Sequence, residues 1–381
     1  MNRARLRYPA TIGLLTLIAF GARAVSLDAQ PLWRDEVDAL RFATVPWAEM
    51  LASFTRPGWN GPLYYMLLRG WVALTGTSEY AMRFFSLAFG VLCVPLIYAL
   101  GRRLFNRQAG FLTALLLTTS PYLTWYGQEV KMYTLLPALA LLAIYGLRRA
   151  VEEGDWYWWT AQVVATSLAC YVHILAALLI PMQVLLYFTW WPQARNRWRG
   201  ALLSLACLTL PYLPLFDWQA PLLLQERATG FPSYTLGEMV ETLLNSWSLG
   251  MTGWGWPWGA VLVGSLAAWG LASPPPSLPG PPARTGERRE RLALIYWLLI
   301  PLLTVWLISL RQPLFTDRYL IWAAPAFYLL IALGLASLLR LGAWGRWVTM
   351  ALVAAILVLH SVNLWRQATI PIKSDFRAAA A

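Results

Sequence analysis

Charged residues are scarce in this chain of 381 residues: they make up 13% of it, about half of what soluble domains carry. Apolar residues make up 59%, and the mean hydropathy is +0.51. This balance excludes a soluble enzyme, a disordered protein and a nucleic-acid-binding domain. The net charge of +12 does not indicate a nucleic-acid partner, because the basic residues form short clusters between apolar runs of membrane-spanning length.

Cysteine and histidine are scarce as well. The three cysteines, Cys93, Cys170 and Cys207, lie inside apolar runs and lack the spacing of a metal site or a disulfide framework. We expect them to pack as small apolar residues. Two histidines are too few for a histidine-rich metal site.

Eleven apolar segments approach the roughly 20 residues that a helix needs to cross a bilayer. They are 8–27, 80–100, 108–127, 129–147, 156–173, 174–191, 200–217, 257–272, 292–310, 319–339 and 346–363. No clear small-residue cleavage site follows the first one, so we expect a retained span rather than a signal peptide. The sequence therefore predicts an all-α polytopic membrane protein with about eleven transmembrane helices.

The distribution of charge orients these spans. With a cytosolic N-terminus, the inner connections and Arg346 at the edge of the last span hold 17 of the 30 basic residues and 5 of the 18 acidic ones, as the positive-inside rule requires. Segment 61–75 is apolar but short, and it contains Arg69. A span there would move Arg102, Arg103 and Arg107 outside, so we predict an interfacial helix instead.

The connections suggest one transmembrane domain, residues 1–363. It carries two large outward loops, 28–79 and 218–256, and a Pro-rich cytosolic linker, 273–291, which we expect to be stiff. Residues 364–381 are expected to be the start of an extracytoplasmic segment that is cut short in this chain.

The first outward loop begins with a pair of acids, Asp35 and Glu36, directly after Trp33 and Arg34. Ionisable groups at a membrane are costly and are functional candidates by default. Here they suit a general base or a metal ligand. The alternative is that Asp35 caps a helix whose first turn holds Glu36 and Asp38.

A second polar turn joins the third and fourth predicted spans on the outer side. It places Gln128, Glu129 and Lys131 where an apolar run would be easier to build. The alternative is a polar hairpin whose charged side chains reach up to water.

A third outward turn carries Arg311 and Arg318, against the charge bias of that side. Arginines at a lipid surface can hold a phosphate through paired hydrogen bonds. The alternative is that Asp317 pairs with one of them and closes the loop.

Weaker candidates lie elsewhere on the outward side. Arg56, Asn60 and Tyr64 could line a polar cavity ahead of the interfacial helix. His173, at a turn between two spans, is either a hydrogen-bonded structural group or part of the site. Arg83 could extend to lipid headgroups.

Five segments, taken in order, resemble a known family. They are LWRDEVDAL, GPLYYMLLRGW, SEYAMRFFSLAFGVLCVPLIYALGRRLF, WYGQEVKMYTLLPALALLA and FTDRYLIWAAPAFYLLIA. Together they resemble the integral-membrane glycosyltransferases of the GT-C superfamily. The bacterial group related to protein O-mannosyltransferases and to the lipid A aminoarabinose transferase is the most similar branch.

The resemblance implies a site and a location. Asp35 matches the catalytic acid, with Glu36 beside it, and the Gln128–Glu129 turn belongs to the same site. The segment with Arg318 and Tyr319 would lie near the phosphate of a lipid-linked donor. The implied location is the bacterial cytoplasmic (inner) membrane, with the active site facing outward.

The resemblance also implies a reaction: inverting transfer of a sugar from a polyprenyl phosphate to an acceptor hydroxyl on a protein, lipid or glycan. We expect Asp35 to deprotonate the acceptor, and Arg318, Arg311 and Lys131 to stabilise the leaving phosphate. Glu129 would position the acceptor or bind a divalent metal ion with Asp35. No other cofactor and no nucleic acid are expected.

Two other functions remain open at this stage. A lipid-linked sugar flippase would bind the same phosphate without chemistry, but its acids should lie near the bilayer midplane. A polysaccharide polymerase or ligase should rely on a long outer loop rich in Arg and His. Loop 218–256 holds one arginine, Arg227, and no histidine.

Overall fold

A computed structural model describes residues 3–54, 61–213, 229–273 and 284–373. Within these ranges the chain forms helices and turns and no strand, which confirms the all-α prediction. The α-helices are α1 (Arg3–Ala24), α2 (Arg34–Thr44), α3 (Trp47–Phe54), α4 (Pro62–Thr75), α5 (Glu79–Leu104), α6 (Arg107–Thr119), α7 (Pro121–Gly127), α8 (Leu135–Glu153), α9 (Trp156–Val172), α10 (Leu179–Thr189), α11 (Trp191–Ala194), α12 (Trp198–Thr209), α13 (Leu236–Leu249), α14 (Trp258–Ala272), α15 (Arg284–Ser309), α16 (Ala324–Leu338) and α17 (Gly342–Thr369). Short 3-10 turns occupy Ile174–Leu178, Arg195–Arg197, Leu210–Tyr212 and Asp317–Ala323.

The chain is an integral membrane protein, but the count of eleven spans is not confirmed. Among the described residues, four helical segments are long and apolar enough to cross a membrane: Glu79–Leu104, Glu287–Ser309, Asp317–Leu338 and Gly342–Thr369. A fifth is added if Ile174–Thr189 and Trp191–Tyr212, bent by 84° at their junction, form one broken span. Two further apolar helices, Pro9–Ala24 and Trp258–Ala272, are shorter.

Two predicted spans are interrupted in the structure. Segment 108–127 breaks at Ser120, whose hydroxyl accepts a hydrogen bond from the Leu123 amide and so caps a new helix that begins at Pro121. Segment 129–147 does not begin as a helix, because residues 128–134 form a turn and α8 starts at Leu135. Glu129 therefore lies in a turn outside the helices.

The predicted loops contain much regular structure. Loop 28–79 holds α2, α3 and α4, and α4 coincides with the predicted interfacial helix 61–75. Loop 218–256 holds α13, while its residues up to 228 lie outside the described part. α15 begins inside the predicted linker 273–291, of which residues 274–283 are not described.

Helix α16 lies at the centre of the bundle and is buried along its whole length. It packs against α14 at a point where two glycines meet, Gly270 and Gly334. A Cβ atom on either glycine would clash with the backbone of the opposite helix. Small residues at such a contact let two membrane helices approach closely, which increases their van der Waals contact.

Helix α5 connects two clusters of charge at opposite ends of the bundle. Near its start Arg83 pairs with Glu36, and near its end Arg103 pairs with Glu152 and Glu153. The two arginines are 20 positions apart, which in an α-helix is about 30 Å, the thickness of a hydrocarbon core. The cluster at the far end also contains an Arg148–Glu290 pair at 3.0 Å. The charged layers therefore fit the two faces of one bilayer.

This arrangement predicts opposite accessibility for two exposed residues that flank α5, Thr77 and Gln108. In a background without the native cysteines, Thr77→Cys should react with a membrane-impermeant maleimide added to intact cells, because it lies at the Glu36 end. Gln108→Cys should react only after the cells are opened. Labelling of Gln108→Cys in intact cells would contradict the predicted orientation.

Candidate active site

Glu36 lies in the first turn of α2 with no exposed surface. Its Oε1 accepts hydrogen bonds from Arg83 Nε at 2.8 Å and from the Val130 amide at 3.0 Å. Its Oε2 accepts from Arg83 Nη2 at 2.8 Å and from Lys373 Nζ at 3.0 Å. Burial alone would raise the pKa of Glu36, but the Arg83 hydrogen bonds and the Lys373 charge outweigh it and lower the pKa. A carboxylate that accepts this many hydrogen bonds is better suited to holding the surrounding segments together than to the catalytic role predicted for it.

Arg83 does not reach lipid headgroups, and that prediction is wrong. The side chain is buried, and besides Glu36 it donates to the carbonyl oxygens of Leu27 and Gln30 at 2.8 and 2.7 Å. A further hydrogen bond reaches the Pro31 carbonyl at 3.1 Å. All five guanidinium donors thus have protein partners, and the segment before α2 is tied to α5.

Asp35 has a different environment from its neighbour. Trp33 is the N-cap residue and Asp35 lies within the first turn, so the alternative that Asp35 caps the helix is wrong. Asp35 Oδ2 lies 3.2 Å from Arg318 Nη1, and 26% of the Asp35 side chain and 20% of the Arg318 side chain remain exposed. The Arg318 guanidinium lies over the rings of Trp33 and Tyr133, at 5.5 and 5.6 Å. These cation–π contacts hold the arginine in place while leaving the ion pair accessible.

The turn after α7 places two charged groups inside the protein. Glu129 and Lys131 are both buried, so the alternative that they extend to water is wrong. Lys131 Nζ donates to the Tyr65 hydroxyl at 2.9 Å. Burial raises the pKa of Glu129 to about 7, although the charges of Lys373 and Arg318 oppose that rise. Glu129 can therefore exchange a proton near neutral pH.

Asp317 does not pair with the arginines, and the alternative that it closes their loop is wrong. It accepts a hydrogen bond from the Tyr126 hydroxyl at 3.4 Å, and its carbonyl accepts one from Tyr122 at 2.9 Å. The next residue, Arg318, is thereby directed to Asp35 instead.

The rings of Tyr319 and His173 are in contact, with centroids 4.9 Å apart. His173 Nδ1 accepts a hydrogen bond from the Leu175 amide at 3.2 Å and caps the 3-10 turn that follows. This contact brings the turn between α9 and α10 next to the Arg318 segment.

The remaining predicted site residues have other hydrogen-bond partners or are exposed. Tyr64 is buried, with its hydroxyl 2.7 Å from that of Ser86. The Gln128 amide donates to the carbonyl oxygens of Arg23 and Val25, and Arg311 is exposed. Arg56 and Asn60 lie outside the described residues.

Several buried polar atoms around the Asp35–Arg318 pair have no hydrogen-bond partner among the described residues. They are Trp33 Nε1, Glu129 Oε2, His173 Nε2 and Arg318 Nε. Buried polar atoms in folded proteins are nearly always paired, so a cluster of exceptions needs an explanation. A polar ligand bound between these groups provides one.

The same residues do not form a protein-based metal site. In the described part of the chain, no group of three or more His, Cys, Asp and Glu side chains is close enough to hold an ion. Asp35 faces Arg318, with which a cation would compete, and Glu36 is occupied by Arg83 and Lys373.

The sequence does not assign two cations to this site, for different reasons. Arg83 is a candidate only for contact with lipid headgroups, because nothing in the sequence pairs it with Glu36, 47 positions away. Lys373 carries no motif and follows the last helix. Trp33 was noticed only as a neighbour of the acids.

Comparisons with known proteins bear on the fold of the chain. The family model described as dolichyl-phosphate-mannose-protein mannosyltransferase matches residues 56–216. A search of curated proteins found no significant match. The chain is similar in structure to ArnT from Cupriavidus metallidurans bound to undecaprenyl phosphate (TM-score 0.58, 14% identity, 94% of this chain and 75% of that one).

It is also similar to the Archaeoglobus fulgidus oligosaccharyltransferase in complex with zinc and sulfate (TM-score 0.57, 14% identity, 83% of this chain and 45% of that one). The same enzyme tethered to an acceptor peptide gives a TM-score of 0.53 at 12% identity, over 94% of this chain and 55% of that one. The chain thus spans about half the length of the oligosaccharyltransferase. The predicted resemblance to the GT-C superfamily is confirmed at the level of the fold, which is that of these membrane glycosyltransferases.

The contacts of Glu36 predict an effect on stability rather than on chemistry alone. Glu36→Gln or Arg83→Met should each lower the free energy of unfolding by about 3–5 kcal/mol, because each leaves one buried charge of a broken pair uncompensated. Thermal unfolding of the purified protein in detergent measures this. Asp35→Asn is the matched control, since Asp35 is part exposed, and should unfold close to the wild type. Equal losses for Glu36→Gln and Asp35→Asn would contradict the anchoring role.

Proposed function

We propose that this protein is an inverting glycosyltransferase that uses a polyprenyl-phosphate sugar as donor. The observation that carries the proposal is the part-exposed Asp35–Arg318 pair with unpartnered buried polar atoms around it. A carboxylate and a guanidinium at one accessible point provide a base for an acceptor and a cation for a phosphate.

The donor class is supported by the comparisons. The matched family is described by its use of dolichyl-phosphate-mannose, and the similar ArnT structure is bound to undecaprenyl phosphate. We extend this class to the present chain and infer a hexosyl or pentosyl donor. The acceptor is a hydroxyl of a protein, lipid or glycan on the outer face of the bacterial cytoplasmic membrane.

In the proposed step, Asp35 removes the proton of the acceptor hydroxyl, and the hydroxyl oxygen attacks the anomeric carbon. The bond from that carbon to the phosphate oxygen breaks, and the polyprenyl phosphate leaves with the electron pair. Before donor binds, Arg318 is paired with Asp35. A phosphate that attracts Arg318 would weaken this pair and free Asp35 to act as a base.

The leaving phosphate needs charge stabilisation more than protonation, because it leaves as a stable anion. Arg318 is held ready for it by Trp33 and Tyr133. Lys131, with its ammonium fixed on Tyr65, adds a second buried cation nearby. Glu129, with one oxygen unpartnered, would orient the acceptor hydroxyl.

The first experiment measures release of radiolabelled sugar from a panel of polyprenyl-phosphate sugars in membranes containing the protein. Asp35→Asn should abolish release while leaving folding and donor binding intact, because the amide cannot accept the proton. The matched control is Glu49→Gln, an exposed acid that pairs with Arg41 at the surface, and it should keep full activity. Wild-type turnover by Asp35→Asn would reject the assigned base. If neither the wild type nor the variants release sugar, while the donor still crosses the membrane of sealed vesicles, a flippase would be favoured.

A second variant tests the cation. Arg318→Met should slow release by about 10²–10³, the loss seen when one preorganised electrostatic partner is removed from an active site. Arg41→Met, which removes an exposed arginine, is the control. The measurement is single-turnover label release at saturating donor. A loss below threefold would show that another group stabilises the phosphate.

A further inference from the structure

The chain does not leave the bundle directly after its last helix. Gln30, in the first outward loop, accepts hydrogen bonds through Oε1 from the backbone amides of Ile372 and Lys373, at 3.2 and 3.1 Å. Its Nε2 donates to the Gln367 carbonyl at 3.0 Å. One side chain thus fastens the end of α17 and the residues after it to the loop that leads into α2.

This fastening inserts Lys373 into the candidate active site. Its Nζ lies 3.0 Å from Glu36 Oε2 and 3.5 Å from the Gln128 carbonyl oxygen, and 5.3 Å from the centre of the Trp125 ring. Only 6% of the side chain is exposed. A lysine usually keeps its ammonium in water, so this degree of burial requires the partners that it has here.

A small polar cavity of about 20 Å³ lies beside the lysine. Its lining includes Gln30, Arg83, Gln128, Gln367 and Lys373. The volume suits one water molecule, which needs two to four polar partners, and the lining supplies them. The segment after α17 therefore closes a polar compartment behind the carboxylates.

The charges around Lys373 explain what it does. It faces Glu36 and Glu129, and it shares Glu36 Oε2 with Arg83. Glu129 lies close to Asp35 and Arg318, and Glu36 also accepts from the Val130 amide next to Glu129. Lys373 is thus a second link, beside the Val130 amide, that holds α2, which carries Asp35, against the turn that carries Glu129.

We propose that Lys373 is a positioning residue of the active site: by bridging Glu36 and the Gln128 carbonyl it holds Asp35 and Glu129 in register, and it couples the segment after α17 to the site. It does not touch substrate. The proposal rests on the proposed function for its effect on transfer, while the docking of Lys373 can be tested separately.

The docking test is cleavage of the detergent-solubilised protein by trypsin after Lys373. The wild type should resist cleavage at this bond, because the side chain that trypsin must bind is buried. Gln30→Ala, which removes the fastening but no charge, should be cut at least tenfold faster. Gln108→Ala, an exposed glutamine at the other end of the bundle, is the control and should be cut like the wild type. Equal rates in wild type and Gln30→Ala would overturn the docking.

The positioning test compares Lys373→Met with Lys373→Arg in the label-release assay. Lys373→Met should lower kcat by about 10²-fold with the donor KM changed less than threefold, since a misplacement of about 1 Å can cost that much. Lys373→Arg keeps the charge and should restore most of the loss, which a purely structural role would not require. Wild-type kcat in Lys373→Met, or no rescue by Lys373→Arg, would overturn the proposal. If the wild type itself releases no sugar, the proposed function fails, and the trypsin result alone decides the docking.

Discussion

The structure of the end of the bundle that carries the candidate active site depends on one buried ion pair, that of Glu36 and Arg83. It joins four parts of the chain: the start of α2, helix α5, the turn after α7 through the Val130 amide, and the segment after α17 through Lys373. An isolated charge in such an interior is costly. Each of these charged side chains is therefore stable in its buried position only while its partners are in place. The pair therefore aligns these four segments at one point.

The same pair separates the roles of two neighbouring acids. Glu36 forms ion pairs with Arg83 and Lys373. Asp35, one position earlier, has Arg318 as its ion-pair partner and stays part exposed. Two carboxylates with different surroundings can serve different purposes, as when one stays ionised and bound while the other acts on substrate. We infer that the Asp-Glu sequence at this point combines an anchor with a reactive group, which gives each of the two adjacent acids its own role.

Much of this could be predicted from the sequence because hydropathy and charge are local properties. Most of the apolar segments form helices, and Arg318 lies next to Asp35, two residues that the sequence analysis placed in one site. What the sequence did not disclose depends on contacts between distant residues. The burial of Lys131 and the return of Lys373 each depend on a partner in another segment, for which local pattern carries no signal.

The irregular backbone is concentrated where the site lies. The break between α6 and α7, the turn at 128–134, the 3-10 turn after His173 and the one that begins at Asp317 contact one another through Tyr122, Tyr133 and Tyr319. The opposite end is closed by ion pairs between helix ends, such as Arg148 with Glu290. Non-helical backbone at membrane depth is tolerated only where protein or a polar cavity covers it. The contacts made by these tyrosines provide that cover at the end that carries the candidate site, while ion pairs between helix ends hold the bundle at the other end.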